Sequence, residues 1–254
     1  MINLTDIRVY DDYTFAHSVN VCVLALVTGI ALGYNQKKLY NLGLGAILHD
    51  IGKIMVPKEI LNKPSRLMKE EFEVIKKHPS WGYDLLKDKS EINCIVRTIV
   101  YQHHERWDGS GYPKGLKGNQ IDELAQVVGL VDMYDAVTAD RVYRKAMPAY
   151  EAFEMIAASG GFLFRFDIVK AFLNHIAAYP VGTWVKLSNG CIALVLETKH
   201  GMALRPKVKI LFDANNNIIE EYLDLRDVIN TTIVEVLKEN EIERLSIRLK
   251  SKQL

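Results

Sequence analysis

Residues 91–104 read EINCIVRTIVYQHH, with Ile92, Ile95, Val96, Ile99, Val100 and His103 spaced three and four apart. That period is one face of an α-helix, and an apolar helical face must be buried against other helices. The stripe therefore commits this part of the chain to helix-on-helix packing, with Ser90 expected as the N-cap. It also delivers His103 and His104 to a helix end, directly before ERWDGSGYP, where two glycines and a proline forbid further helix. Adjacent residues lie about 100° apart on a helix. Both histidines can therefore serve one ion only at the helix terminus.

The same texture extends over residues 1–180. NQKKLYNLGLGAILHD predicts a second helix, ending at His49–Asp50 before Gly52. SRLMKEEFEVIKKHP predicts a third, stopped by Pro79, and ELAQVVGLVDMYDAVTAD a fourth. Residues 149–159 and 167–177 predict two more, with Pro148 at an N-terminal position and Asp167 as a cap. The apolar run VNVCVLALVTGIALG, residues 19–33, is short for a bilayer span and is expected as a buried helix. After YPVGTW the pattern changes. TWVKLSNGCIALVLET is a hairpin signal around SNG, and PKVKILFDANNNIIEEYLDL repeats it around asparagines. Residues 181–254 are thus read as a small β-rich appendage, strands over 183–236 followed by a charged tail. The fold class expected is mainly α, a helical bundle with a small C-terminal β-rich appendage.

Composition narrows the function. With 32 basic and 31 acidic residues the net charge is +1, which argues against a general binder of nucleic-acid polymers or membrane surfaces. Cys22, Cys94 and Cys191 are scattered and odd in number, so they make neither a disulfide framework nor a CxxC metal motif. The N-terminus lacks the pattern of a signal peptide, and a cytoplasmic protein is expected.

The chemistry lies in the histidines. A single histidine is more often a hydrogen-bonded structural residue than a ligand, and His175 and His200, without partners in motif, are read that way. His17, His49, His78, His103 and His104 form an ordered series in the helical region. His49 adjoins Asp50, Lys53 follows four residues after His49, and Asp132 lies three residues before Asp135. Imidazole and carboxylate without thiolate suit Mn²⁺, Fe²⁺ or Zn²⁺.

In its order, His17, then His49–Asp50, then Asp132, this series resembles the HD superfamily of metal-dependent phosphohydrolases. HDIGK (49–53), His78, HHERWDGSGYP (103–113) and DMYDAVTADRVYR (132–144) together resemble its HD-GYP subfamily, over residues 12–178. The resemblance implies an HD-type helical bundle that hydrolyses cyclic di-GMP to linear pGpG, and on to GMP, through a metal-bridging hydroxide. It implies two divalent ions, Fe or Mn. One would be held by His17, His49, Asp50 and Asp132, the other by Asp50 as a bridge with His78, His103 and His104. It also implies catalytic roles for Lys53, beside the phosphate, and Asp135, behind a ligand or Lys53. Gly111, Tyr112 and Pro113 would shape the substrate pocket, and Arg141 and Arg144 would meet phosphate. Trp107 is expected to be loop packing.

Two departures stand out. Tyr13 occupies the position where some members carry a glutamate for a third metal, and Asp11 and Asp12 are spaced differently, so two ions are expected. Val142 replaces the usual proline of DRVYR. The alternatives are a cyclic GMP-AMP phosphodiesterase and a catalytically silent sensor or adaptor. The expected partners are the cyclic dinucleotide, a signalling protein at the GYP loop and a second copy in a homodimer.

Overall fold

The computed structural model describes residues 12–139 and 145–251. The chain forms two compact units: one holds the residues up to Pro148 together with Glu154–Phe172, the other Ala149–Phe153 with Leu173–Leu254.

The first unit is helical. α1 (Asp12–Ala31) packs on α2 (Gln36–Leu48), and a 3₁₀ turn, Ile51–Met55, leads to the short α3 (Lys58–Leu61) and α4 (Lys69–Ile75). α5 (His78–Leu86), α6 (Cys94–Gln102) and α7 (Glu123–Thr138) complete the packed set, with α6 against α2, α5 and α7. α8 (Ala149–Ser159) and α9 (Phe166–Leu173) follow. α7 is buried along most of its length, from Leu124 to Asp132 and again at Asp135. That is why its apolar residues show no one-sided stripe. Two carboxylates in such a helix need partners, because burial of an unpaired charge is costly.

The caps explain where the helices start. Asn35 accepts from the Lys38 amide, Asn93 from the Val96 amide, and Asp122 from the Leu124 and Ala125 amides. The α6 cap is therefore Asn93 rather than Ser90, and Ile95 sits on the half-exposed side while Val96, Ile99 and Val100 are buried. Pro79 does not stop a helix. It lies in the first turn of α5, where a missing N–H costs nothing. Asp167 stands inside the first turn of α9, paired with Arg165, and that helix ends at Leu173. α1 is only half-buried, since Val19, Val23 and Ile30 face out while Val21 and Ala25 are fully covered. Among the described residues no helix is long and apolar enough to cross a membrane.

The second unit is an antiparallel sheet of β1 (Trp184–Leu187), β2 (Ile192–Glu197), β3 (Lys207–Phe212), β4 (Ile218–Asp224) and β5 (Ile233–Val236), ordered β4-β3-β2-β1-β5. Val185, Leu187, Ala193, Val195, Val208 and Ile210 fill one face, as the period of two requires. Tyr150, Phe153, Ala178 and Tyr179 join that cluster. Asp213 holds the β3–β4 turn by accepting from the Asn215 and Asn217 amides. α10 (Glu239–Ser251) buries no residue and is the charged tail.

Gly52 shows how tightly the helical unit is closed. A Cβ there would lie 2.0 Å from the His78 carbonyl oxygen and 2.5 Å from the Gly82 nitrogen. Both are backbone atoms that cannot swing aside. Gly52→Ala is expected to destabilise the helical unit by about 3 kcal/mol, the upper end for overpacking. A thermal melt followed by circular dichroism checks this.

Candidate metal centre

Three histidines reach the centre by one device. His49 and His103 are the C-caps of α2 and α6, and His78 begins α5 immediately after α4. Each Nδ1 meets the backbone carbonyl three residues earlier: Ala46 at 2.7 Å, Val100 at 2.8 Å and Ile75 at 2.8 Å. The last turn of a helix leaves its carbonyls without amide partners. A carbonyl only accepts, so each Nδ1 carries the proton and donates. In its neutral form each ring then keeps its lone pair on Nε2.

Those lone pairs converge on Asp50. Its Oδ2 lies 3.2 Å from His49 Nε2, 3.9 Å from His17 Nε2 and 2.5 Å from Lys53 Nζ. Its Oδ1 lies 3.2 Å from His78 Nε2 and 3.9 Å from His103 Nε2. On α1, His17 donates from Nδ1 to Asp135 Oδ2 at 2.6 Å and has Nε2 3.0 Å from Asp132 Oδ1. His104 Nδ1 lies 3.9 Å from Asp132 Oδ2. The donor atoms thus fall into two groups, His17, His49 and Asp132 on one side and Asp50, His78, His103 and His104 on the other. Within each group they lie within 4.8 Å of one another.

The electrostatics are those of a site made for cations. Burial alone would raise the pKa of Asp50, but His49 and Lys53 outweigh it and hold the carboxyl well below the usual range. Asp132 is likewise held low against its burial, chiefly by its hydrogen bond with His17. Burial, reinforced by neighbouring histidines, keeps His103 and His104 well below an ordinary imidazole, and hence neutral. His17 goes the other way: burial would lower it, yet its hydrogen bonds to Asp132 and Asp135 raise it to about 9.

Three details fit divalent ions. Asp50 Oδ1 and His49 Nε2 are fully buried and make no hydrogen bond, which is costly for polar atoms without another partner. The Nε2 atoms of His78 and His103 stand 3.2 Å apart, and with both Nδ1 protons committed to carbonyls, two lone pairs face each other. The proton held between His17 and Asp132 stands where a cation would bring the same charge.

The GYP loop is secured by a residue that the motif reading passed over. Glu105 is buried and accepts from the Lys114 amide at 2.7 Å and the Leu116 amide at 2.9 Å. Gly111 lies directly on the backbone of residues 104–106, and a Cβ there would be 2.4 Å from both the His104 oxygen and the Arg106 nitrogen. The peptide bond Tyr112–Pro113 is cis. Tyr112 donates its amide to the His104 carbonyl and stacks its ring on the His104 imidazole, centroids 4.6 Å apart. Gly109 supplies a positive φ of 85°, whereas Gly111 is required by close approach alone.

The remaining expectations divide. Lys53 is not on a helix continuous with His49. It sits on the 3₁₀ turn and reaches Asp50 from there. Trp107 is part of the loop packing, its amide donating to the Leu163 carbonyl. Arg106, also unassigned from the motif, lies with its guanidinium over the Phe164 ring. His175 and His200 belong to the other unit and pair with each other, Nε2 to Nε2 at 2.7 Å. Asp11, Arg141, Val142, Arg144 and the side chains of Asp12 and Tyr13 lie outside the described residues.

Comparison with known proteins agrees with this geometry. A family model described as an HD domain matches residues 8–167, and one described as a KOW domain associated with HD domain matches residues 184–245. A cyclic di-GMP phosphodiesterase of Pseudomonas aeruginosa is 38% identical over 220 residues, 86% of this chain and 52% of its own length. One of Thermotoga maritima is 38% identical over 165 residues, 65% of this chain and 45% of its own. The chain thus spans about half the length of these two relatives. A solved HDG"Y"P protein of Bdellovibrio bacteriovorus superposes with a TM-score of 0.54 at 27% identity, covering 63% of this chain and 51% of that one. With the HD model matching well over half of its residues and the HHERWDGSGYP segment closing the site, the chain belongs to the HD-domain family and carries the marks of its HD-GYP branch.

Proposed function

We propose that this protein is a metal-dependent phosphodiesterase that opens cyclic di-GMP to linear pGpG and continues to GMP. One observation carries the reading: two groups of donors meet at a single buried carboxylate, each facing a different oxygen of Asp50. His17, His49, Asp50 and Asp132 would hold one ion, and Asp50, His78, His103 and His104 the other, with Fe²⁺ or Mn²⁺ the ions that suit imidazole and carboxylate. When bound, the pair supplies charge neutralisation at the phosphate and an activated water.

The chain's own residues do the rest. Asp50 gives one oxygen to each donor group and so sets their spacing. Asp135 accepts the His17 Nδ1 proton and so turns Nε2 toward Asp132, where a bound ion would take the place of the Nε2 proton; it is a positioning residue. Lys53, partly exposed, brings a cation to the rim where phosphate charge develops. Tyr112 and Pro113, on a loop held by Glu105 and seated through Gly111, form the wall against which the substrate lies. Arg141 and Arg144 belong to this reading as phosphate contacts, since guanidinium forks match phosphate oxygens. Catalysis is assigned to residues 1–180, with 181–254 as an appendage. The three cysteines are free thiols, which fits a reducing cytoplasm.

The deciding experiment is anaerobic incubation of the Fe²⁺- or Mn²⁺-loaded protein with cyclic di-GMP and with cyclic GMP-AMP, the products separated by chromatography. Metal-dependent pGpG formation is expected. Turnover of cyclic GMP-AMP alone would reassign the substrate, and turnover of neither would leave a sensor. Asp50→Ala is expected to lose both bound ions and all turnover, measured as metal content and rate on one sample. Lys53→Ala should keep its metals and lose about 10²-fold in kcat, the scale of one electrostatic contact to a transition state. Asp135→Ala should weaken metal affinity by about 10- to 100-fold, with partial rescue by Asp135→Asn.

A further inference from the structure

Phe72 lies on α4 and is 46% exposed. A lone exposed phenylalanine needs no explanation, but this one is not alone. Lys76, one turn later, holds its Nζ 5.8 Å from the Phe72 ring centroid and 5.6 Å from that of Tyr112. Both distances are within the range at which an ammonium is attracted by a ring face. Tyr112 in turn stacks on His104. A single ammonium therefore links an open aromatic ring to the ring that covers a candidate metal ligand.

The ledge is also rigidly registered to the centre. The α4 end carbonyl, on Ile75, takes the His78 Nδ1 proton. The start of α4 is pinned by Glu71, which accepts from Lys63 Nζ at 2.6 Å and from the Met68 amide at 2.7 Å. Lys76 is further steadied by Glu73 at 2.9 Å. A helix tied at both ends holds Phe72 at a set distance from His78. Close to half of Phe72 stays open to solvent.

We propose that Phe72 is the stacking platform for a purine base of the substrate, and that Lys76 reads the base edge as a specificity-determining residue. The inference rests on the phosphodiesterase reading above. A flat apolar ring, linked through Lys76 and Tyr112 to a ligand of the centre, suits the π-face of a base. An ammonium suits the edge that presents two acceptors, guanine O6 and N7, over adenine, whose N6 amino group is a donor. The pair therefore favours guanine at this position.

The test is steady-state kinetics of the metal-loaded protein on cyclic di-GMP, cyclic GMP-AMP and cyclic di-AMP. Phe72→Ala should raise KM for cyclic di-GMP about 10-fold, as loss of one stacked base predicts, with kcat and metal content held. Phe72→Trp should restore KM, and its indole fluorescence should be quenched by the nucleotide. Lys76→Ala should narrow the preference for guanine over adenine, read as cyclic di-GMP against cyclic di-AMP, which has no guanine to place there; an unchanged ratio removes Lys76 from base reading. An unchanged KM in Phe72→Ala, or a loss of metal in that variant, overturns the platform while the function stands. If the unaltered protein hydrolyses none of these nucleotides, the functional reading falls and the platform falls with it.

Discussion

Everything in the helical unit is arranged around one buried carboxylate. Asp50 is ionised in a place where water cannot stabilise it, so its charge must be met by protein groups from all sides. Those groups come from α1, the end of α2, the start of α5, the end of α6 and the 3₁₀ turn between α2 and α3. Five segments therefore have to arrive together, and the close backbone contacts follow from this. Gly52 allows the turn carrying Lys53 to touch the His78 carbonyl, and no larger residue would fit between them.

The histidines are oriented by the ordinary need of helix ends. A C-terminal carbonyl without an amide partner is a problem in any buried helix, and here imidazole Nδ1–H groups meet it. The same contact satisfies the helix and chooses the tautomer, so structural economy and ligand orientation are one interaction. On α1 the His17 Nδ1–H meets a carboxylate, Asp135 of α7, in place of a helix-end carbonyl. Hydrogen bonds to Asp132 and Asp135 outweigh burial and push His17 toward the protonated form.

Much of this was legible from residues 91–113 and 49–53. The apolar period ending in His103–His104, and HDIGK after a helix, name the donors and place them at helix ends. The reading failed where local signals compete. Ser90 and Asn93 are both good caps, and only the register that buries Val96, Ile99 and Val100 chooses Asn93, whose amide also donates to Asn41. Pro79 follows a helical run and so looks like a stop, yet a proline also suits the first turn of a new helix. The run of residues 19–33 is apolar almost throughout, and nothing in it marks Val19, Val23 and Ile30 as outward-facing.

What the sequence determined by itself was the inventory: which side chains can bind metal, that His49, His103 and His104 stand at helix ends, and that a glycine-containing turn follows two of them. Residue type and local period carry that information. Only the tertiary structure decided how the inventory is divided, with Asp50 Oδ2 facing one group and Oδ1 the other. It also decided that Glu105 binds the backbone of its own loop, and that Lys76 stands between Phe72 and Tyr112. Each of these depends on distances between segments far apart in the chain, set by how helices pack and by where buried charge can be compensated.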